Sequence, residues 1–377
     1  MSRLKKEQAK IDFEDVGKVG FEDIITNLAL DASIARYKPL SHYQVDPRNG
    51  DRVLYSEARA KRPHDNAGDD TTTKKTPAST GGCVVCDGKT TSVVDIAPLS
   101  EGFTFINKNL FPVIYPFQLG SPENDLADNP FARTGHQATG SHFLQWPSNR
   151  HDSDYHNMGQ EDVIVVLERL SALERTLLHS PGSGMPLSHK LPDGDHYGYI
   201  GVIKNTGRLV GGSLAHGHNQ IVHTNIKSRR VEEDERFRQG FGQEFSHYIL
   251  KENPPEYTVK DYGNGVVLLV PYFMRRQLQA MIVVGDDTCG YLHHMDRDML
   301  ASFSMALRDV SRAVVELMPR LGRELAYNWI MHEGDVGGMY VEVMPWMQEM
   351  GGYEQLGIYL CQGTPEMTVN HYRELIS

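Results

Sequence analysis

Two long amphipathic segments, each leading into β-favouring sequence, narrow the folds open to this chain. In the first, Val163, Val166, Leu167, Leu170, Leu173 and Leu177 recur three and four residues apart. In the second, Leu300, Phe303, Leu307, Val310, Val314 and Leu317 do the same. That spacing puts one apolar stripe on each helix, and such a stripe has to be buried against another layer. Helices are therefore expected over 160–179 and about 296–317. The second repeat is too short for a coiled coil, so packing on a sheet is the expectation. Strands are expected at 52–55, 103–107, 142–146, 197–204, 266–270, 277–284 and 340–345, with a turn at Asn205-Thr206-Gly207. A charged helix is expected over 231–251, a short one near Phe21 to Leu30 and a last one after Pro365-Glu366. Asp65 to Gly82 is polar and reads as a flexible loop. Each half thus runs strands, long helix, strands. The expected class is α+β, in two units of like design, 1–230 and 231–377, the pattern an internal duplication would leave.

Composition excludes some functions. The chain has 377 residues, 40% of them hydrophobic and 23% charged, as in an ordinary globular protein. Its net charge of −11 argues against a nucleic-acid partner, which favours a basic face. No apolar run reaches membrane-spanning length, so no membrane association is expected. The charged N-terminus lacks the apolar core of a secretory signal, which points to the cytoplasm. Two of the four cysteines form Cys83-Val84-Val85-Cys86. In a cytosolic chain that spacing reads as metal or redox chemistry rather than a structural disulfide. A zinc site needs two further ligands, and histidines must supply them, with His151 and His216 as candidates. A redox pair or two inert thiols are the alternatives.

The chemistry centres on Gly211-Gly212-Ser213-Leu214-Ala215-His216-Gly217-His218-Asn219-Gln220. On a strand, His216, His218 and Gln220 share one face. With 17 histidines in the chain, a His-X-His pair also arises by chance. If His216 holds metal, His218 is left free, and an imidazole attacks phosphorus to form a phosphoramidate. Gln220, Ser213, Asn205 and backbone amides of the glycine loop stand where donors to the phosphate oxygens are needed. A glutamine delivers no proton, so the site suits a leaving group that departs ionised, as a sugar phosphate does.

These residues resemble the galactose-1-phosphate uridylyltransferase family, in the nucleotidyltransferase branch of the histidine triad superfamily. His216-Gly217-His218-Asn219-Gln220 matches the family motif His-X-His-X-Gln. Asn205 and Ser213 stand at the family spacing for phosphate binding. Arg59-Ala60-Lys61-Arg62-Pro63 matches its arginine segment, and Asn109-Leu110-Phe111-Pro112 the segment near the nucleoside. Tyr353 and Glu354 resemble the loop that contacts the sugar, and Tyr327-Asn328-Trp329 with His332 also fits. The resemblance implies two histidine-triad-like halves, each an antiparallel sheet with packed helices. It implies a Zn2+ ion, mainly structural and replaceable by iron, on Cys83, Cys86, His151 and His216. It implies a nucleophile at His218, assisted by Gln220, and substrate contacts at Arg59, Arg62, Asn109, Asn205, Ser213, Tyr353 and Glu354. The substrates would be an NDP-sugar and a sugar 1-phosphate, the transferred group UMP, and the assembly a homodimer.

Four departures stand out. Position 219 is Asn where the transferases usually have Gly, which would narrow the phosphate site or add a donor. Position 217 is Gly where Pro is common, which would loosen the start of the strand. The second-half His-X-His pair is replaced by Gly338 and Tyr340, so a second metal site is not expected there. The sugar loop after Glu354 is not the glycine-rich version. Besides the uridylyltransferase reading, two others remain: a phosphorylase that passes the nucleotide to inorganic phosphate, and a non-catalytic nucleotide-sugar binding protein.

Overall fold

The computed structural model of the chain describes residues 2–62, 82–116, 135–181, 184–334 and 338–376. Pro63 and nearly all of the loop expected at Asp65 to Gly82 lie outside the described residues. The α+β class holds. Ten strands, numbered in chain order, form the main sheet: β1 (Val93–Pro98), β2 (Phe103–Lys108), β3 (Gly140–Trp146), β4 (Tyr199–Thr206), β5 (Asn219–Thr224), β6 (Thr258–Asp261), β7 (Val266–Leu269), β8 (Ala280–Val284), β9 (Tyr327–His332) and β10 (Tyr340–Pro345). The spatial order is β6-β7-β8-β10-β9-β4-β5-β3-β2-β1, and every neighbouring pair is antiparallel.

That order contains a repeat. Within β1–β5 the strands lie first, second, third, fifth, fourth, and within β6–β10 they do so again. The two fourth strands meet, Asn205 opposite Asn328 and Lys204 opposite Trp329. The halves therefore share one sheet, which leaves no unpaired edge at their junction.

The long helices α1 (Gln160–Leu178) and α2 (Arg297–Arg320) each follow the third strand of their half and pack against one another. All twelve residues of the two apolar stripes are buried. Asp296 caps α2, accepting from the Met299 N–H at 2.8 Å. Both helices cover the same face of the sheet: α1 lies on β1 and β4, α2 on β7, β8 and β10.

Three local expectations are corrected. The charged segment expected as one helix is two, Arg229–Phe241 and Phe245–Glu252, because Gly242 adopts φ 71° and ends the first. Asn205 and Thr206 belong to β4, and the turn begins at Gly207. Regular pairing of the motif strand starts only at Asn219, so His216 and His218 lie in the irregular segment just before β5.

Candidate functional site

The side chains around β5 still alternate as a strand requires. The Cβ direction of Gly217 points at Asp154, and Asn219 turns to Gln145 and Tyr155. His216, His218 and Gln220 face the other way, and Trp146 at the end of β3 packs against both imidazoles, 5.4 Å from the His216 ring and 4.9 Å from that of His218. The register explains the sorting: Gln220 pairs with Leu144 and Asn219 with Gln145. Leu144 and Gln220 line a cleft, while Gln145 points back to donate to the Val166 carbonyl of α1 at 2.7 Å.

This cleft is lined by His218, Gln220 and Ser213 on the motif side. Arg59, Arg62, Asn109 and Phe111 face them across it, and Val84 and Val85 of the cysteine turn form part of the wall. Six of the expected residues, Arg59, Arg62, Asn109, Ser213, His218 and Gln220, thus meet in one concave space, although they come from distant segments of the chain.

Hydrogen bonds fix the protonation pattern of His218. Its Nδ1 lies 2.9 Å from the His216 carbonyl oxygen. A carbonyl only accepts, so Nδ1 carries the proton and Nε2 keeps its lone pair. Burial holds the ring well below the ordinary imidazole range, at about 4, against the raising effect of that bond. His218 is therefore a neutral imidazole with a free ring nitrogen, the form a nucleophile needs.

Asn109 is held by its own turn and stands beside His142. Its Nδ2 lies 3.1 Å from His142 Nε2, and its Oδ1 accepts from the Phe111 N–H at 2.9 Å. His142 in turn accepts from the Val113 N–H at Nδ1, 3.1 Å away. Burial, with the nearby Arg59 charge, pushes His142 down to about 3, so it too is neutral. The sequence reading missed His142. A histidine inside a strand, next to Phe143 and Leu144, was the available signal. Arg59 donates to the Phe111 carbonyl at 2.7 Å, and burial beside Arg62 lowers its pKa to about 10, which leaves it a partly desolvated cation.

Cys83, Cys86, His151 and His216 bring their ligand atoms within 4.8 Å of one another. Both sulfurs lie 3.7 Å from His216 Nδ1, and Cys86 Sγ lies 3.8 Å from His151 Nδ1. Tetrahedral zinc with its usual bond lengths gives sulfur-to-nitrogen separations of about 3.6 Å, so these residues fit the ion. The outer contact fits as well: His216 Nε2 donates to the Ser148 carbonyl at 2.9 Å, leaving Nδ1 to face the sulfurs. The donor set is compatible with zinc or iron and would tie the cysteine turn to β3 and the motif.

Other expected residues sit elsewhere. Asn205 accepts from Asn328 Nδ2 at 2.6 Å and does not line the cleft. Glu354 accepts from the N–H groups of Gly351 (2.8 Å) and Leu360 (3.3 Å), so it closes its own loop, and Tyr353 is exposed. Neither lines the cleft.

The departures at 217 and 219 have structural reasons. Asn219 does not narrow the cleft: it is fully buried on the α1 side and donates to Gln145 Oε1 at 3.0 Å and Tyr155 Oη at 2.6 Å. At Gly217 a Cβ would stand 2.2 Å from Asp154 Oδ2, and that carboxylate pairs with the buried Lys204 at 2.8 Å. In the second half, a side chain at Gly338 would collide with Ser246 Oγ at 2.0 Å. The Tyr340 hydroxyl donates to Asp234 at 3.5 Å, and its ring stacks on His332, which lies 3.0 Å from Glu342.

Comparison with solved structures matches this arrangement over most of the chain. A uridylyltransferase superposes with a TM-score of 0.64 over 89% of this chain and 98% of its own, at 15% identity. The fold is that of the uridylyltransferases. An ADP-glucose phosphorylase from Arabidopsis thaliana, solved with bound ADP-glucose, shares the uridylyltransferase fold with a TM-score of 0.58 over 90% of this chain and all of its own, at 17% identity. A GalT-like protein from the same plant gives 0.56 at 15% identity, over 88% of this chain and 98% of its own. By sequence, ADP-glucose phosphorylase from Arabidopsis thaliana is 22% identical over 191 residues, which is 48% of this chain and about half (53%) of that protein's length. No family model matches. Sequence and fold together support a relationship to the galactose-1-phosphate uridylyltransferase family.

Proposed function

We propose that the chain is a nucleotidyltransferase that moves a nucleoside monophosphate from an NDP-sugar to a phosphate acceptor through a nucleotidyl-histidine. The observation that carries this reading is the neutral His218 in the cleft, its proton held on Nδ1 by the His216 carbonyl. The Nε2 lone pair attacks the α-phosphorus, an N–P bond forms, and the P–O bond to the β-phosphate breaks. The electron pair leaves with the sugar 1-phosphate, which needs no proton at neutral pH. An oxygen of the acceptor phosphate then attacks the same phosphorus and the N–P bond breaks, which restores His218.

The other residues take supporting roles. Gln220 and Ser213 donate to the non-bridging oxygens, and Arg59 and Arg62 offset their charge. Asn109, held by the Phe111 N–H, faces the nucleoside. Asn205 acts through the Asn328 contact and the glycine loop rather than in the cleft. Tyr353 and Glu354 belong to a sugar-contacting loop, whose placement over a cleft requires a homodimer partner. A metal on Cys83, Cys86, His151 and His216, taken as Zn2+, supplies rigidity by fixing the cleft wall, and takes no part in the chemistry. Residues 1–230 form the catalytic half and 231–377 the half with the sugar loop. The setting is cytoplasmic sugar-nucleotide metabolism.

Two acceptors fit the same strand. A sugar 1-phosphate makes the protein a hexose-1-phosphate uridylyltransferase, with UDP-glucose as donor and galactose 1-phosphate as acceptor. Inorganic phosphate makes it a phosphorylase, the reading favoured by the sequence match to ADP-glucose phosphorylase. Intact-protein mass measurement after mixing with UDP-glucose or ADP-glucose, beside His218→Ala, tests both. A UMP-sized adduct lost in the variant supports the first, and an AMP-sized one the second. Absence of any adduct from a folded, metal-loaded protein would overturn the covalent mechanism.

A further inference from the structure

A second group of ligand atoms lies far along the chain from the cysteine site. His179 ends α1, and Asp193 and His196 sit on the β-hairpin Leu187–Leu191 with Gly194–Tyr197. His293 sits in the short turn Leu292–His294 of the second half. Their ligand atoms fall within 4.8 Å of one another. His179 Nε2 is 2.9 Å from His196 Nε2 and 3.3 Å from His293 Nε2. Asp193 Oδ2 is 3.1 Å from His179, 3.4 Å from His196 and 3.2 Å from His293, in each case at Nε2. We propose that His179, Asp193, His196 and His293 form a second metal site, for a divalent ion of the zinc class.

The geometry favours an ion over hydrogen bonds alone. Tetrahedral zinc with nitrogen and oxygen ligands separates its ligand atoms by about 3.3 Å, and the observed spacings lie close to that. Glu174 Oε1 already accepts from the His293 backbone N–H at 3.4 Å and lies 2.5 Å from His293 Nδ1. It therefore receives the Nδ1 proton, and His293 Nε2 turns a lone pair on the cluster. A single Nε2 proton on His179 cannot serve His196, His293 and Asp193 at once. A buried carboxyl group behind a ring nitrogen, as Glu174 stands behind His293 Nδ1, is the outer-sphere support that metal-binding histidines use.

His294 is a supporting residue by the same test. Its Nδ1 accepts from the Gly290 N–H at 3.3 Å, so Nε2 carries the proton and donates to Asp193 Oδ2 at 3.2 Å. Four ligands without an open position make a structural site, and three imidazoles with one carboxylate suit zinc, cobalt or nickel. The ion would staple the end of α1, the hairpin leading into β4 and a turn of the second half. The neighbouring His189–Tyr291 hydrogen bond, 2.7 Å, ties the same hairpin to the same turn.

The test is metal stoichiometry in the full-length chain, stripped by a chelator and titrated with Zn2+ and, separately, Co2+. The wild type is expected to bind about two equivalents, and the Cys83→Ser/Cys86→Ser variant about one. In that variant the Co2+ spectrum should show d–d bands without the sulfur-to-metal charge-transfer band. His179→Gln/Asp193→Asn, placed at the partly exposed rim, should lose one equivalent and keep the charge-transfer band, whereas His294→Gln keeps both ions. A cysteine variant, folded by circular dichroism, that binds neither Zn2+ nor Co2+ overturns the proposal. So does a wild-type stoichiometry that His179→Gln/Asp193→Asn leaves unchanged.

Discussion

The Asp154 carboxylate occupies the space that a side chain on Gly217 would need, with Oδ2 2.2 Å from the Cβ position. Glycine in the middle of the motif is thus matched to an ion pair, Asp154 with Lys204, buried behind the strand. Gly217→Ala should push the carboxylate off Lys204 and destabilise the fold by about 1–3 kcal/mol, as overpacking of a filled site does. Gly217→Ala/Asp154→Ala should not lose the sum of the two single effects, because the second change removes the clash. Urea unfolding of the three variants checks this, and simple additivity would contradict the steric account.

His218→Ala should reduce turnover by at least about a thousand-fold, the order seen when a covalent nucleophile is removed. The variant should form no nucleotide adduct and keep its metal content, because Cys83, Cys86, His151 and His216 remain. Mass spectrometry, steady-state rates and metal analysis on one preparation separate loss of chemistry from loss of fold.

Asn219→Gly restores the residue usual in the transferases, yet its effect should fall on stability rather than on the substrate. The lost side chain bonds Gln145 and Tyr155 on the α1 side and is absent from the cleft. A cost of about 1–3 kcal/mol is expected, since buried partners lose their hydrogen bonds. The KM for the nucleotide sugar should stay within about two-fold, a change too small to register as a lost substrate contact. A large rise in KM would place Asn219 among the ligand contacts.

Glu342 gives an acid dependence with a definite sign. Burial raises its pKa, but the His332 hydrogen bond and charge, with Arg230 and Arg275, outweigh this and hold it at about 2 against an ordinary 4.5. A carboxyl depressed on folding stabilises the protein above its unfolded pKa and loses that contribution as pH falls through the folded one. Stability from this group should therefore be fully present above about pH 4.5 and be lost toward pH 2, a contribution of about 3 kcal/mol. Glu342→Gln should lower stability at pH 7 and flatten the acid limb over that window. Urea midpoints measured from pH 7 to pH 2.5 for both proteins make the comparison.

Much of the fold was legible because its signals are periodic and local. The stripes on α1 and α2, Tyr340–Pro345 and the order of elements needed only spacing. The motif residues and the cysteine pair were legible because their spacing is tied to chemistry, and the structure gathers Cys83, Cys86, His151 and His216 from segments far apart. What escaped depends on partners from elsewhere in the chain. Asn219 turns inward because Gln145 and Tyr155 receive it, and Asn205 faces Asn328 across the junction of the halves. Glu354 is spent on its own loop, which spacing alone does not reveal. The second histidine group was invisible because its members come from a helix end, a hairpin and a turn, and share no local pattern.

Strand β4 lies hydrogen-bonded between β5 and β9, with five residue pairs in register across the junction of the halves. A hinge there would have to break backbone hydrogen bonds in the middle of a sheet, so the halves cannot open and shut like jaws around a substrate. Admission to the cleft must fall to its rim, where Arg62 reaches across to the carbonyl of Gly211. The same continuity ties the stability of the two halves together, so a blow to one half should register as a shift of one cooperative unfolding transition.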